Sequence, residues 1–214
     1  MVNSMYCTSL FADSPVNDAY SDHLCVISNV INRIDNMRTP YLFTTLIVGN
    51  KKIYLVRSEF VHLNESLKSS EDKCDFMDDK SGREVSTSFF IRLNPAIRRG
   101  LNNGPAGKKT DRLYAIKNSD EIESWFSNKC DSIGIKVTNF EILQKGVAYC
   151  SKGQTSINEA YVKVHAYASK EAFMQLYCQG FGKRKGFGFG MPSFSGSKHY
   201  EIINSVLVAP FISI

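Results

Sequence analysis

Residues 84–93 read Glu-Val-Ser-Thr-Ser-Phe-Phe-Ile-Arg-Leu, a β-branched and aromatic run with the composition of a strand. This run decides the fold because of what stands before it. Residues 5–11 (MYCTSLF) read as a short strand that ends at Asp13-Ser14-Pro15. A helix follows, capped by Asn17 or Asp18, with Tyr20, His23, Leu24, Ile27, Val30, Ile31 and Ile34 recurring at intervals of three and four. Tyr41–Val48, the turn Gly49-Asn50 and Ile53–Val56 make a hairpin by turn chemistry and β-branched content. Residues 62–82 are polar and rich in Ser and Asp, which suits a loop or a poorly formed helix. With 84–93 as the closing strand, the order β-α-β-β-(α)-β is that of a ferredoxin-like unit.

The same order of elements then recurs. Leu113–Ile116 reads as a strand, and Ser119 caps a helix through Trp125, Phe126 and Cys130 to Gly134. Acidic residues in its first turn suit the helix dipole. Ile135–Leu143, Val147–Cys150 and Tyr161–Tyr167 supply strands, and Ser169 caps a helix over 170–178. The expectation is an α+β chain of two tandem ferredoxin-like, RRM-like βαββαβ domains. Their expected bounds are 1–100 and 111–214, with a basic, Gly-rich linker over 101–110. The apolar tail ending VLVAPFISI reads as a further edge strand or a docking segment.

Charge is unevenly divided between the two. Residues 1–82 carry 8 Lys and Arg against 11 Asp and Glu, and the remainder carries 18 against 10. The second part is therefore the expected polyanion face. The six cysteines stand at least 18 residues apart, so no zinc-knuckle spacing exists, and no HExxH or carboxylate cluster suggests a metal. The first basic residue is Arg33, and no apolar run approaches membrane-spanning length. A cytoplasmic protein with no membrane partner and no cofactor is expected.

Directly after the last of these helices comes Gly180-Phe-Gly-Lys-Arg-Lys-Gly-Phe-Gly-Phe-Gly190. Gly180, Gly182, Gly188 and Gly190 let a backbone approach a ligand closely, and Lys183, Arg184 and Lys185 add charge, as a loop facing a phosphate-bearing polymer requires. The dinucleotide fingerprint fails here, since its sixth place is Lys185. The P-loop also fails: its only candidate, GPAGKKT over 104–110, has the wrong spacing. A glycine-rich surface turn with incidental charge is the plainer alternative. Lys185-Gly-Phe-Gly-Phe189 also matches the first five places of the RNA-recognition-motif signature, which leaves open a non-catalytic RNA-binding module of that type. Gly190 and Pro192 then break the match.

Tyr20 and His23, three apart on a helix, project side by side. A phenol beside an imidazole can act as acid and base near neutral pH, although a lone histidine on a helix is more often packed or solvated. RNA carries its own nucleophile. Its 2′-hydroxyl can attack the adjacent phosphodiester when a base takes its proton, an acid protonates the leaving 5′-oxygen and cations hold the developing charge.

Tyr20-x-x-His23, Arg92-Leu-Asn94-Pro95, the Trp125 helix and the paired Gly-Phe-Gly units together resemble the CRISPR-associated repeat-processing endoribonucleases, most closely the CasE branch found in type I-E Cascade. The resemblance spans roughly residues 18–194. It implies metal-independent cleavage of precursor CRISPR RNA beside a repeat hairpin, retention of the product, and association with other Cascade subunits. It assigns His23 as acid/base residue, Tyr20 as the group that orients the ribose or phosphate, and 180–190 as a lining of the RNA cleft. Arg92, Arg98, Arg99, Lys108 and Lys109 complete the expected RNA-binding set.

Overall fold

The computed structural model describes residues 5–13, 17–30, 41–59, 67, 69–80, 84–101 and 110–208. Strand β1 (Tyr6–Asp13) leads to helix α1 (Ala19–Asn29), and β2 (Tyr41–Val48) and β3 (Lys51–Ser58) form the expected hairpin. A short β4 (Ser70–Glu71) completes an antiparallel sheet in the order β2-β3-β1-β4. That is the ferredoxin order, with the first and third strands central. The Asp18 side chain accepts from the Tyr20 N–H and caps α1. Residues 31–36, expected to extend that helix, lie outside the described residues, as do 60–66 and 68.

The strand at 84–93 does not close this sheet. As β5 (Val85–Leu93) it pairs along its whole length with β9 (Thr155–Ala168) and opens the second sheet, ordered β10-β5-β9-β8. The others are β8 (Lys136–Cys150) and β10 (Pro192–Phe194), with α2 (Ser119–Asp131) and α3 (Lys170–Gln179) on one face. Burial explains the assignment. Phe89, Ile91 and Leu93 pack beneath α2 and α3, while Phe90 turns to the core between the two sheets. A strand buried on both faces belongs at the centre of a sheet. The expected break at 101–110 thus falls within the second sheet's first crossover, which carries a two-stranded ribbon of β6 (Ala96–Leu101) and β7 (Thr110–Ala115). The strand expected at 113–116 belongs to that ribbon, and 102–109 lie outside the described residues. The two short strands expected over 135–150 are one long β8 with two register shifts.

Within the tail expected to form an edge strand or docking segment, 209–214 lie outside the described residues, and Lys198–Leu207 form helix α4. Ser197 caps it, and Ile203 packs with Leu46, Ile53, Leu55 and Phe90 in the core between the sheets. His199 anchors it: the ring is 1% exposed, and Nε2–H donates to the Thr8 carbonyl at 3.1 Å. Burial, with the nearby Arg57 charge, pushes the imidazole down to about 4, against the pull of Asp72 and the Thr8 bond. Between pH 6.5 and about 4 the unfolded chain then binds the proton that the folded chain refuses. Stability should be level above pH 6.5 and fall by on the order of 3 kcal/mol as pH drops to about 4. Urea melts across that range, compared with His199→Gln, test this; equal pH dependence in both proteins would refute it.

Candidate functional site

The N-terminus of α1 is pinned by the second sheet. Tyr149 N–H donates to the Asn17 carbonyl at 2.9 Å, and Asn17 Nδ2 donates to Val147 O and Glu159 Oε1 at 3.2 Å each. Asp18 caps its own helix and also accepts from the Ser151 N–H at 3.0 Å. Burial raises the Asp18 carboxyl, but bonds from Ser21, Ser151 and Tyr20 outweigh it and bring the group to about 2. The start of α1 is therefore fixed against the turn that joins β8 to β9.

Tyr20 and His23 do share a face of α1, with ring centroids 6.3 Å apart. The Tyr41 hydroxyl lies in a hydrogen bond 3.0 Å from His23 Nδ1. A phenol can accept from a protonated Nδ1 or donate to a bare one, so this contact orients the ring in either charge state. Phe187 packs 5.8 Å away on another side. A Cβ on Gly186 would stand 3.9 Å from Nδ1, so the glycine loop runs beside the imidazole.

That loop is closed at its neck. Phe181 N–H donates to Gly190 O and Gly190 N–H to Arg92 O, each at 2.7 Å. A Cβ on Gly190, where φ is +79°, would stand 1.9 Å from Phe181 O, so only glycine fits. At Gly188 a Cβ would meet Phe43 at 2.9 Å and Arg92 Nη1 at 3.3 Å. Lys185–Phe187 form a single 3-10 turn and Phe189 is 1% exposed, so this stretch is not the base-stacking strand of an RNA-recognition motif. Among the described residues, Gln154 and Arg184 alone of the non-glycines have positive φ, at 45° and 62°. Gln154 closes the β8–β9 turn and Arg184 enters the 3-10 turn, so both flank the Tyr20–His23 centre.

The expected cations divide. Lys183 is exposed and approaches Lys129; burial and the Lys183 charge both push the Lys129 ammonium down. Lys185 Nζ donates to Gln179 O at 2.6 Å, at the C-terminal end of α3. Arg92, expected among the RNA contacts, is buried. It is 2% exposed, its Nε donates to Glu159 Oε2 at 2.8 Å, and its guanidinium lies over the Phe189 ring at 4.5 Å. It packs beneath Gly188 and Phe189 of the loop and is shielded from solvent. Arg98 and Arg99 lie on β6, in the two-stranded ribbon, while Lys108 and Lys109 lie outside the described residues.

Two contributors had no local signal in the sequence. Tyr41 opens β2, and Lys152 sits in the β8–β9 turn with Nζ 5.3 Å from the Tyr20 ring centroid. Both reach the centre only through tertiary packing.

The family described as CRISPR associated protein matches residues 11–194. No curated protein matches the chain. Among solved structures, Cse3 of Thermus thermophilus, bound to an RNA representing a pre-cleavage complex, superposes with a TM-score of 0.67 at 18% identity, covering 90% of this chain and 99% of that one. Cas6e from Escherichia coli K-12 gives 0.65 at 17% identity over 89% and 98%. A chain of a CRISPR RNA-guided surveillance complex gives 0.53 at 15% identity over 89% and 98%. At these identities the likeness is one of fold, the double ferredoxin-like arrangement of two four-stranded antiparallel sheets. No helix among the described residues is long and apolar enough to cross a membrane.

Proposed function

This chain belongs to the CRISPR-associated protein family, and on that premise we propose that it is a metal-independent endoribonuclease that cuts precursor CRISPR RNA beside a repeat hairpin. It then stays on the product within a Cascade-type effector. The observation that carries this reading is the Tyr20–His23–Tyr41 group beside a glycine loop whose Phe187 ring packs on the imidazole and whose Gly186 leaves the space next to it open. The likeness to Cse3, solved with RNA, and to a chain of an RNA-guided surveillance complex gives further support.

In this reading His23 takes the proton of the 2′-hydroxyl as that oxygen attacks the adjacent phosphorus. The bond from phosphorus to the 5′-oxygen breaks, and the imidazolium so formed gives its proton to the leaving oxygen. The products are a 2′,3′-cyclic phosphate and a 5′-hydroxyl. Tyr20 orients the ribose or phosphate. Lys152, which stands against the Tyr20 ring, holds the charge that develops on the phosphoryl oxygens, while the Lys185 ammonium is engaged by the Gln179 carbonyl. Lys183 and Arg184 hold the RNA backbone farther out.

Incubation with a repeat hairpin RNA in EDTA tests the proposal. Cleavage should persist, with cyclic-phosphate ends, and a single 2′-deoxy substitution at the scissile nucleotide should abolish it with little loss of affinity. Cutting of the deoxy substrate would sink the internal-attack mechanism.

A further inference from the structure

A cleft of about 360 Å³ opens at the root of the β6–β7 ribbon, between the start of α2 and strand β8. Its size falls in the range of small-ligand sites. Ile116, Ile122 and Val147 form apolar walls, Lys117 and Lys145 stand at the rim, and Glu159 lies at the inner end. Glu159 is 9% exposed and held fast: Arg92 donates to Oε2, and Asn17 Nδ2 donates to Oε1 at 3.2 Å. The cleft thus offers aliphatic faces, a fixed acceptor at its inner end and cations at its mouth. A nucleotide matches each: a planar base for the walls, a base N–H for the carboxylate and a phosphate for the lysines.

The cleft is also continuous with the cleavage centre. Val147 is 55% exposed and Tyr149, two residues on along β8, is 46% exposed. Alternation along a strand puts both on one side. From Val147 to Lys152 the chain covers roughly 15 Å, and Lys152 stands against Tyr20. An apolar track therefore leads from the cleft to the catalytic helix, along the same backbone that pins Asn17 and Asp18.

We propose that this cleft is a base-recognition pocket for one unpaired nucleotide within a few positions of the scissile phosphate. The inference rests on the endoribonuclease reading above and adds a specificity determinant to it. The fixed carboxylate accepts best from an exocyclic amino group, whereas the N3–H of uracil lies between two carbonyl oxygens that repel it, so adenine, guanine or cytosine should be taken over uracil.

The test is an abasic scan of the unpaired nucleotides flanking a repeat hairpin RNA, made uncleavable by a 2′-deoxy scissile nucleotide. One abasic position should weaken Kd by roughly tenfold or more, the scale on which single bases contribute to such sites. Uracil there should bind less tightly than the other three bases. Val147→Trp, at an exposed site where the indole can fill the cleft, should weaken binding of the intact RNA and remove the difference between intact and abasic RNA. Its circular dichroism should match wild type. An abasic scan in which every RNA binds like its parent would overturn the pocket, as would a Val147→Trp protein that still distinguishes the two RNAs. If the all-ribose parent is cleaved while the scan is flat, only the pocket falls. If the parent is neither bound nor cut, the endoribonuclease reading falls and takes the pocket with it.

Discussion

His23→Ala should slow cleavage of a repeat hairpin RNA by roughly 10² to 10⁴, the usual contribution of a general acid/base group, while Kd for the RNA changes little. The imidazole is a half-buried ring bounded by Tyr20, Tyr41 and Phe187, and α1 keeps its Asp18 cap without it. The loss should therefore be in kcat and not in folding or binding. Tyr20→Phe keeps the ring that faces Lys152 and removes only its hydroxyl, so its rate should fall between wild type and His23→Ala. Tyr41→Phe separates orientation from chemistry. Without the hydroxyl at Nδ1 the ring loses the contact that orients it, so kcat should drop while Kd for the RNA holds. Single-turnover rates across pH read all three variants. A His23→Ala protein that cuts at the wild-type rate would remove the acid/base role and leave an RNA-binding protein.

Much of this centre was legible because its parts are local. Tyr20 and His23 are one helical turn apart, and the glycine loop is contiguous, so residue type and spacing alone place them. Lys152 and Tyr41 are 132 and 21 residues from Tyr20, and only the packing of the β8–β9 turn and of β2 against α1 brings them in. The fold shows the same division. Hairpin β2–β3 follows from its Gly49-Asn50 turn, whereas the sheet that β5 joins depends on a partner some seventy residues later. A signal did exist: Phe89, Phe90 and Ile91 are consecutive apolar residues, and an edge strand with one solvated face would alternate. The same parity puts Arg92 on the face of Phe90, toward the protein interior.

Arg92→Ala should accordingly destabilise the protein by about 3–5 kcal/mol, because it leaves the Glu159 carboxylate buried without its cation. The guanidinium also fills the space under Gly188 and lies against the Phe189 ring, so the loop loses its floor as well as its charge partner. Removing both charges should cost much less than removing one. In Arg92→Met with Glu159→Gln no uncompensated ion remains, and the amide oxygen that replaces the carboxylate can still accept from Asn17, so stability should recover most of the single-variant loss. Urea melts of the two single variants and the pair give the coupling directly. RNA binding supplies an independent check. A phosphate-contacting arginine would lower the log-log salt slope by roughly 0.9 on the duplex figure. An arginine that only holds the loop from beneath should weaken affinity in the folded double variant and leave that slope where it was. A flattened slope together with a melting curve close to wild type would instead place Arg92 at the RNA, and would require the loop to open so far that the Glu159 pair reaches solvent.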